Sequence, residues 1–223
     1  MRISPWVLGG SLALALTVVG LSTPTPAAAA GPKPTKTITY VATQDATVSS
    51  ATPHDNFGER PRLAVRSHGP TLVTYLRFDL RTIDPARLVG AVLTLTSPTG
   101  DRCLSGVRGV DVYTVGARWD EDTITFANAP APQSFVASVD EFGRGRVVID
   151  VTSDFTATTV AAYALVMPAD CDLLPDSQPG DVAGATRFWS SESEASQPTL
   201  QIEYCRRNHS AGVCKMLAAA RLP

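Results

Sequence analysis

Tyr75, Arg77 and Asp79 stand at alternate positions in the stretch from Thr74 to Leu80. In an extended chain alternate side chains share a face, so a phenol, a guanidinium and a carboxylate lie together there. An arginine fork matches a carboxylate in bidentate geometry. Two chemistries follow. Arg77 and Asp79 can close a charge network with Glu192 that fixes strand register, or the same groups can line a groove and hydrogen-bond a polar ligand. The network is the expected use, because buried charges are paired. A second group is acidic: Asp45, Asp55 and Asn56 offer the oxygens that a structural calcium ion needs, without a twelve-residue EF-hand pattern. Turn and cap formation is the competing use of those side chains.

Catalysis needs more than an abundance of acids. Asp120, Glu121, Glu192 and Glu194 are present, but nothing in their spacing specifies the carboxylate pair of a glycosidase. Only His54, His68 and His209 could serve a serine hydrolase as base, and the chain has no G-x-S-x-G elbow. The expectation is that it is not an enzyme.

The elements that must position these residues are strands. Leu76, Phe78 and Leu80 occupy the other face of the stretch and suit a core. Ala91, Leu93 and Leu95 oppose Val92, Thr94 and Thr96; Val147, Ile149 and Val151 oppose Val148, Asp150 and Thr152; Leu200, Ile202 and Tyr204 oppose Gln201 and Glu203. Each pattern has one buried face. Eleven strands are expected, near residues 37–42, 46–49, 62–66, 72–80, 88–97, 107–115, 135–139, 146–151, 160–167, 186–190 and 199–204. Gly, Pro, Asp and Ser clusters separate them. The fold class is therefore all-β: a two-sheet antiparallel β-sandwich, jelly-roll-like, with at most one or two short helical turns. One such turn is expected within 154–162 and a short helix in the tail.

Composition narrows the partners. The 223 residues are 44% hydrophobic and 18% charged, with a formal net charge of -2, so no nucleic-acid-binding surface is implied. Residues 1–30 read as a signal peptide, with Arg2 before an apolar run and Ala27 to Ala30 as a small-residue cleavage site. Residues 31–36 read as a flexible leader, 37–204 as the sandwich, and 205–223 as a disulfide-stapled C-terminal tail. No later segment approaches the ~20 apolar residues of a membrane span, and the expected product is a secreted, extracellular monomer. Its four cysteines, Cys103, Cys171, Cys205 and Cys214, suit an oxidising compartment. Three pairings are open; Cys205 with Cys214 and Cys103 with Cys171 are preferred, the first because it closes a short loop.

Ordered motifs along residues 38–204 carry a resemblance. They are Gln44 to Val48; Asn56-Phe57-Gly58 followed by Leu63-Ala64-Val65; Thr74 to Leu80; Val92 to Leu95; Trp119 to Pro130; Ile149 to Thr152; Arg187 to Glu192; and Gln197 to Leu200. Together they resemble the DNRLRE-type domain grouped with carbohydrate-binding module family 96. Phe126 and Ser191 depart from the pattern, where Trp and Arg are usual. The resemblance implies a non-catalytic, polysaccharide-binding module without naming the sugar; if Arg77, Asp79 and Glu192 line a groove, sugar hydroxyls or a uronate carboxylate are the groups they would bond. It makes Tyr75, Arg77, Trp189 and Glu192 the candidate carbohydrate contacts, Trp189 as an exposed stacking platform, while Trp119 is expected to pack beneath the turn at Asp120 to Asp122. By analogy with other sugar-binding jelly rolls, Glu192 could approach Asp45, Asp55 and Asn56 at a calcium ion. The alternative is a structural or adhesive cell-envelope sandwich acting as a spacer or protein-interaction domain, with the tail contacting a partner.

Overall fold

The computed structural model describes residues 35–67, 69–81, 84–98, 109–139, 142, 144–153, 155, 159–168, 185–194, 196–206 and 211–219. Eleven strands fall in them: β1 (Thr35–Val41), β2 (Gln44–Ser49), β3 (Arg62–Val65), β4 (Leu72–Asp79), β5 (Leu88–Ser97), β6 (Val110–Thr114), β7 (Phe135–Val139), β8 (Gly145–Asp150), β9 (Val160–Val166), β10 (Thr186–Trp189) and β11 (Thr199–Cys205). One helix follows, α1 (Ala211–Ala219), and a 3-10 turn at Pro85–Arg87 precedes β5. Every expected strand is present within a few residues. The first begins at Thr35, so Thr35 and Lys36 of the expected leader are already paired with Cys205 and Tyr204. The signal segment, Cys103, Cys171, His68 and His209 lie outside the described residues, as do residues 154 and 156–158 of the expected helical turn, whose last residues belong to β9.

All the ladders are antiparallel, in the orders β1-β11-β5-β8, β2-β4-β9-β6-β7 and β10-β3. The two large sheets meet in one core. Leu76 and Phe78 of β4, Val110 and Val112 of β6 and Tyr163 and Leu165 of β9 pack with Leu93 and Leu95 of β5, Ile149 of β8 and Leu200 and Ile202 of β11. Their alternation is what places them there, since a strand turns every second side chain to the same layer. Burial of each such side chain contributes about 1.5–3 kcal/mol.

The five-stranded sheet is covered on its other face as well. Ala46 and Val48 of β2, Val73 and Tyr75 of β4 and Ala162 and Ala164 of β9 form a second cluster with Val115, Trp119 and Ile124. The segment 115–130 thus lies over this sheet as a cap, and Trp119 packs beneath the Asp120 to Asp122 turn as expected. Within the cap, the Asp120 carboxylate accepts the Asp122 amide, and Asn128 accepts the Thr125 amide and donates to the Thr123 carbonyl. Such side-chain to backbone bonds let an irregular segment satisfy its polar groups over an apolar face.

The short ladder β3–β10 attaches to the large sheet through hydroxyls. Thr47 Oγ1 accepts the Ala64 amide and Thr74 Oγ1 donates to the Ala64 carbonyl. At the C-terminal end, Cys205 and Cys214 form a disulfide that ties α1 to β11, with Val89 completing a small apolar cluster. Arg87 Nε and Nη2 both donate to the Cys205 carbonyl. Closing a loop of this length contributes roughly 2–3 kcal/mol in the chain-entropy model. The expected tail helix is present, and it carries Cys214 itself rather than following it.

Candidate functional site

The β3–β10 ladder has two unlike faces. Leu63 and Val65 of β3, with Phe188 of β10, are buried in the core. Arg62, Ala64 and Arg66 alternate with them, and the register sets Arg62 opposite Trp189 and Ala64 opposite Arg187. Directly opposed residues of an antiparallel pair point to the same side. Three guanidiniums and an indole therefore share the outer face, and Arg60 and Phe57 approach it from the preceding loop. These residues line a cavity of about 580 Å³ together with Thr47, Ser49 and Leu72. The Arg62 guanidinium sits 5.0 Å from the Trp189 ring centroid and the Arg60 guanidinium 4.2 Å from that of Phe57. Each ring thus holds a cation in place. Arg66 donates to the Pro70 carbonyl; burial, then the like charge of Arg187, pushes its pKa down. A groove that crowds cations against one another is suited to an anion.

Beside the groove three carboxylates converge. One oxygen each from Asp45, Glu121 and Glu192 lie within 4.8 Å of one another. Asp45 is wholly buried at the start of β2, Glu121 belongs to the cap, and exposed Glu192 follows β10. Asp45 Oδ2 accepts the Ser191 amide at 2.7 Å, and the Ser191 hydroxyl donates to Glu192. Asp45 Oδ1 and Glu121 Oε1 are buried with no hydrogen-bond partner. Burial pushes the Asp45 carboxyl up to about 7, against the Ser191 amide that favours its charge. Burial followed by the charges of Asp45 and Glu192 pushes Glu121 up to about 8. The loop 56–58 holds Glu121 from behind: Asn56 Nδ2 donates to the Glu121 and Ile124 carbonyls, and its Oδ1 accepts the Gly58 amide.

The family model for carbohydrate-binding module family 96 matches residues 36–204. The chain belongs to that family. No curated protein sequence matches it. The match ends within β11, so the Cys205–Cys214 disulfide and α1 lie beyond the family 96 module.

Within the family 96 module the candidate carbohydrate residues do not form one site. Tyr75 is buried, its ring set edge-on to Trp119 at 5.9 Å and its hydroxyl donating to the Pro130 carbonyl. It cannot stack on a sugar, because the cap covers its side of the sheet. Arg77 pairs with Asp79 at 3.1 Å and donates to Gln44 Oε1; Glu192 is in the carboxylate cluster instead of this network. Trp189 is half-buried and does line the groove. Of the calcium candidates, Asp45 is in the cluster. Asn56 is spent on the backbone of the cap, and exposed Asp55 is not among the converging carboxylates.

The sequence reading missed Arg60, Arg62, Arg66 and Arg187 as a set, and Glu121 as the partner of Asp45. The alternation Arg62, Ala64, Arg66 against Leu63, Val65 was the available signal for a basic strand face; nothing local linked Glu121 to Asp45.

The raised acids predict a pH dependence. Both native pKa values lie above the ordinary 3.8 and 4.5, so the native state binds more protons than the unfolded chain between about pH 4 and 8. This contribution to stability is complete below pH 4 and is lost as pH rises through 7 and 8. In chelator, the melting temperature should accordingly fall across that window, and Asp45→Asn should flatten the profile. A melting temperature that rises from pH 5 to 8 in both proteins would contradict the assignment.

Proposed function

We propose that this is a secreted, non-catalytic module that binds an anionic, uronate-containing polysaccharide in the groove between Phe57, Arg60, Arg62, Arg66, Arg187 and Trp189. The observation that carries the reading is the register that sets Arg62 against Trp189 and Arg187 against Ala64 on the outer face of β3–β10. A guanidinium fork receives a uronate carboxylate through two parallel hydrogen bonds, and an indole face receives the apolar face of a pyranose ring. Repeating acidic sugars along a chain would engage successive arginines. The disulfide of the tail suits an exported protein.

The test is a pull-down of residues 31–223 on neutral and uronate-rich insoluble polysaccharides at low and high salt. Retention on the uronate polymers alone, lost as salt rises, is the expected result. Equal retention on neutral polymers would move the site away from the arginines. No retention by a folded protein would favour the envelope spacer, for which the stapled helix beyond the module offers the partner surface.

A further inference from the structure

We infer that Asp45, Glu121 and Glu192 form a calcium site that joins the two walls of the groove. The geometry fits one ion. Calcium takes oxygen ligands at 2.3–2.6 Å, so two ligands of the same ion are at most about 4.6–5.2 Å apart. The three carboxylate oxygens lie within 4.8 Å of one another. The donor set is all oxygen, with neither imidazole nor thiolate, which selects a hard cation over zinc. The three converging carboxylate oxygens, completed by water, reach the coordination number of six to eight that calcium uses, without the strict octahedron that magnesium demands.

A second observation points to a ligand. Asp45 is completely buried, and its Oδ1 has no hydrogen-bond partner; Glu121 Oε1 is likewise buried and unpartnered. Unsatisfied carboxylate oxygens facing one another are costly. A divalent cation among them reverses the sign of the interaction and satisfies both orphan atoms at once. The supporting bonds aim the side chains rather than neutralise them: the Ser191 amide fixes Asp45, and Asn56 with Gly58 fixes the backbone of Glu121.

The position gives the ion a role. Glu192 follows Trp189 by three residues at the end of β10, and Glu121 is held by the loop that carries Phe57 and Arg60. One ion would therefore fasten both aromatic walls of the groove to the buried Asp45. The ion site stands on the carboxylates alone; its effect on glycan affinity rests on the groove reading above.

The experiment is calorimetric titration of chelator-treated residues 31–223 with calcium chloride, paired with thermal melts in calcium and in chelator. Uptake of one ion per chain is expected, with the melting temperature raised by roughly 5–10 °C at a hundredfold excess over the dissociation constant. Asp45→Asn and Glu192→Gln should each abolish the heat and the thermal shift; Glu192 is exposed, so its variant tests the site where Asp45→Asn fails to fold. Absence of saturable uptake, identical melts, wild-type calcium binding by both variants, or equal stabilisation by magnesium would overturn the assignment. A melt that responds to pH but not to calcium would mean that the cluster shares protons instead, and would also overturn it. Calcium uptake without retention on any polysaccharide would support the ion site while rejecting the groove reading, so the two can fail separately.

Discussion

Arg60→Ala combined with Arg62→Ala is expected to lower affinity for a uronate-rich polysaccharide by about 100-fold while leaving the melting temperature nearly unchanged. Both side chains are exposed, and each lies over an aromatic ring rather than in the core. Their removal therefore costs the fold little. A hydrogen bond to a charged group contributes about 1.5–3 kcal/mol, so two lost forks account for a change of that size. Titration of a soluble uronate oligosaccharide by calorimetry gives the affinity, and a circular-dichroism melt controls for folding. The remaining arginines, Arg66 and Arg187, should leave a weaker, more salt-sensitive residual binding. If the double variant binds as the wild type does, the groove is not where the glycan sits.

Gly58→Ala should have the larger effect on the module itself. A Cβ at Gly58 would stand 2.5 Å from the Glu121 carbonyl oxygen and 2.6 Å from its Cγ. One of those atoms is backbone, and Asn56 pins that same carbonyl. The cap must shift, carrying Glu121 away from Asp45. Overpacking of this kind costs about 1–3 kcal/mol, a fall of roughly 3–10 °C in melting temperature for a domain of this size. Calcium affinity should drop at least about tenfold, because a ligand displaced by even an ångström leaves the coordination sphere. Gly116→Ala is the control: no atom lies within 4 Å of the added Cβ, and neither property should change. A Gly58→Ala protein that melts and binds calcium like the wild type would show that the loop and cap are not coupled as the contacts indicate.

The two substitutions probe opposite ends of one arrangement. The groove residues stand on the outer face of β3–β10, and the three carboxylates come from β2, the cap and the segment that follows β10. The Cys205–Cys214 disulfide serves the helix beyond the family 96 module and touches neither set of residues. A chelator effect and an arginine effect on glycan binding should therefore be separable, the first through wall placement and the second through direct contact.

Period-two alternation made the strands legible from the chain alone. Leu93 and Leu95 opposite Val92 and Thr94, or Leu200 and Ile202 opposite Gln201, declare which side is buried whatever the partner strand is. Trp119 under its turn was legible too, through the family motif that it opens. The same rule misled at Tyr75. Alternation separates it from Leu76 and Phe78 and sets it with Arg77 and Asp79 on a face that reads as a charge network or a ligand groove, yet the cap converts its central part into a second core. Whether a sheet's second face is covered depends on a segment dozens of residues away, and periodicity within the strand carries no record of it.

The site followed the same division. The sequence by itself determined the all-β class, the strand positions, the family motifs, the acidity of Asp45 and the face of β10 on which Trp189 stands, opposite to Phe188. Tertiary structure alone decided that Asp45, Glu121 and Glu192 meet, that Asn56 donates to the Glu121 carbonyl, and that Arg62, Arg66 and Arg187 share one groove. The physical reason is range: side-chain alternation and turn chemistry act over a few residues, whereas a ligand shell or a groove is assembled by strand register and loop packing between segments far apart in the chain.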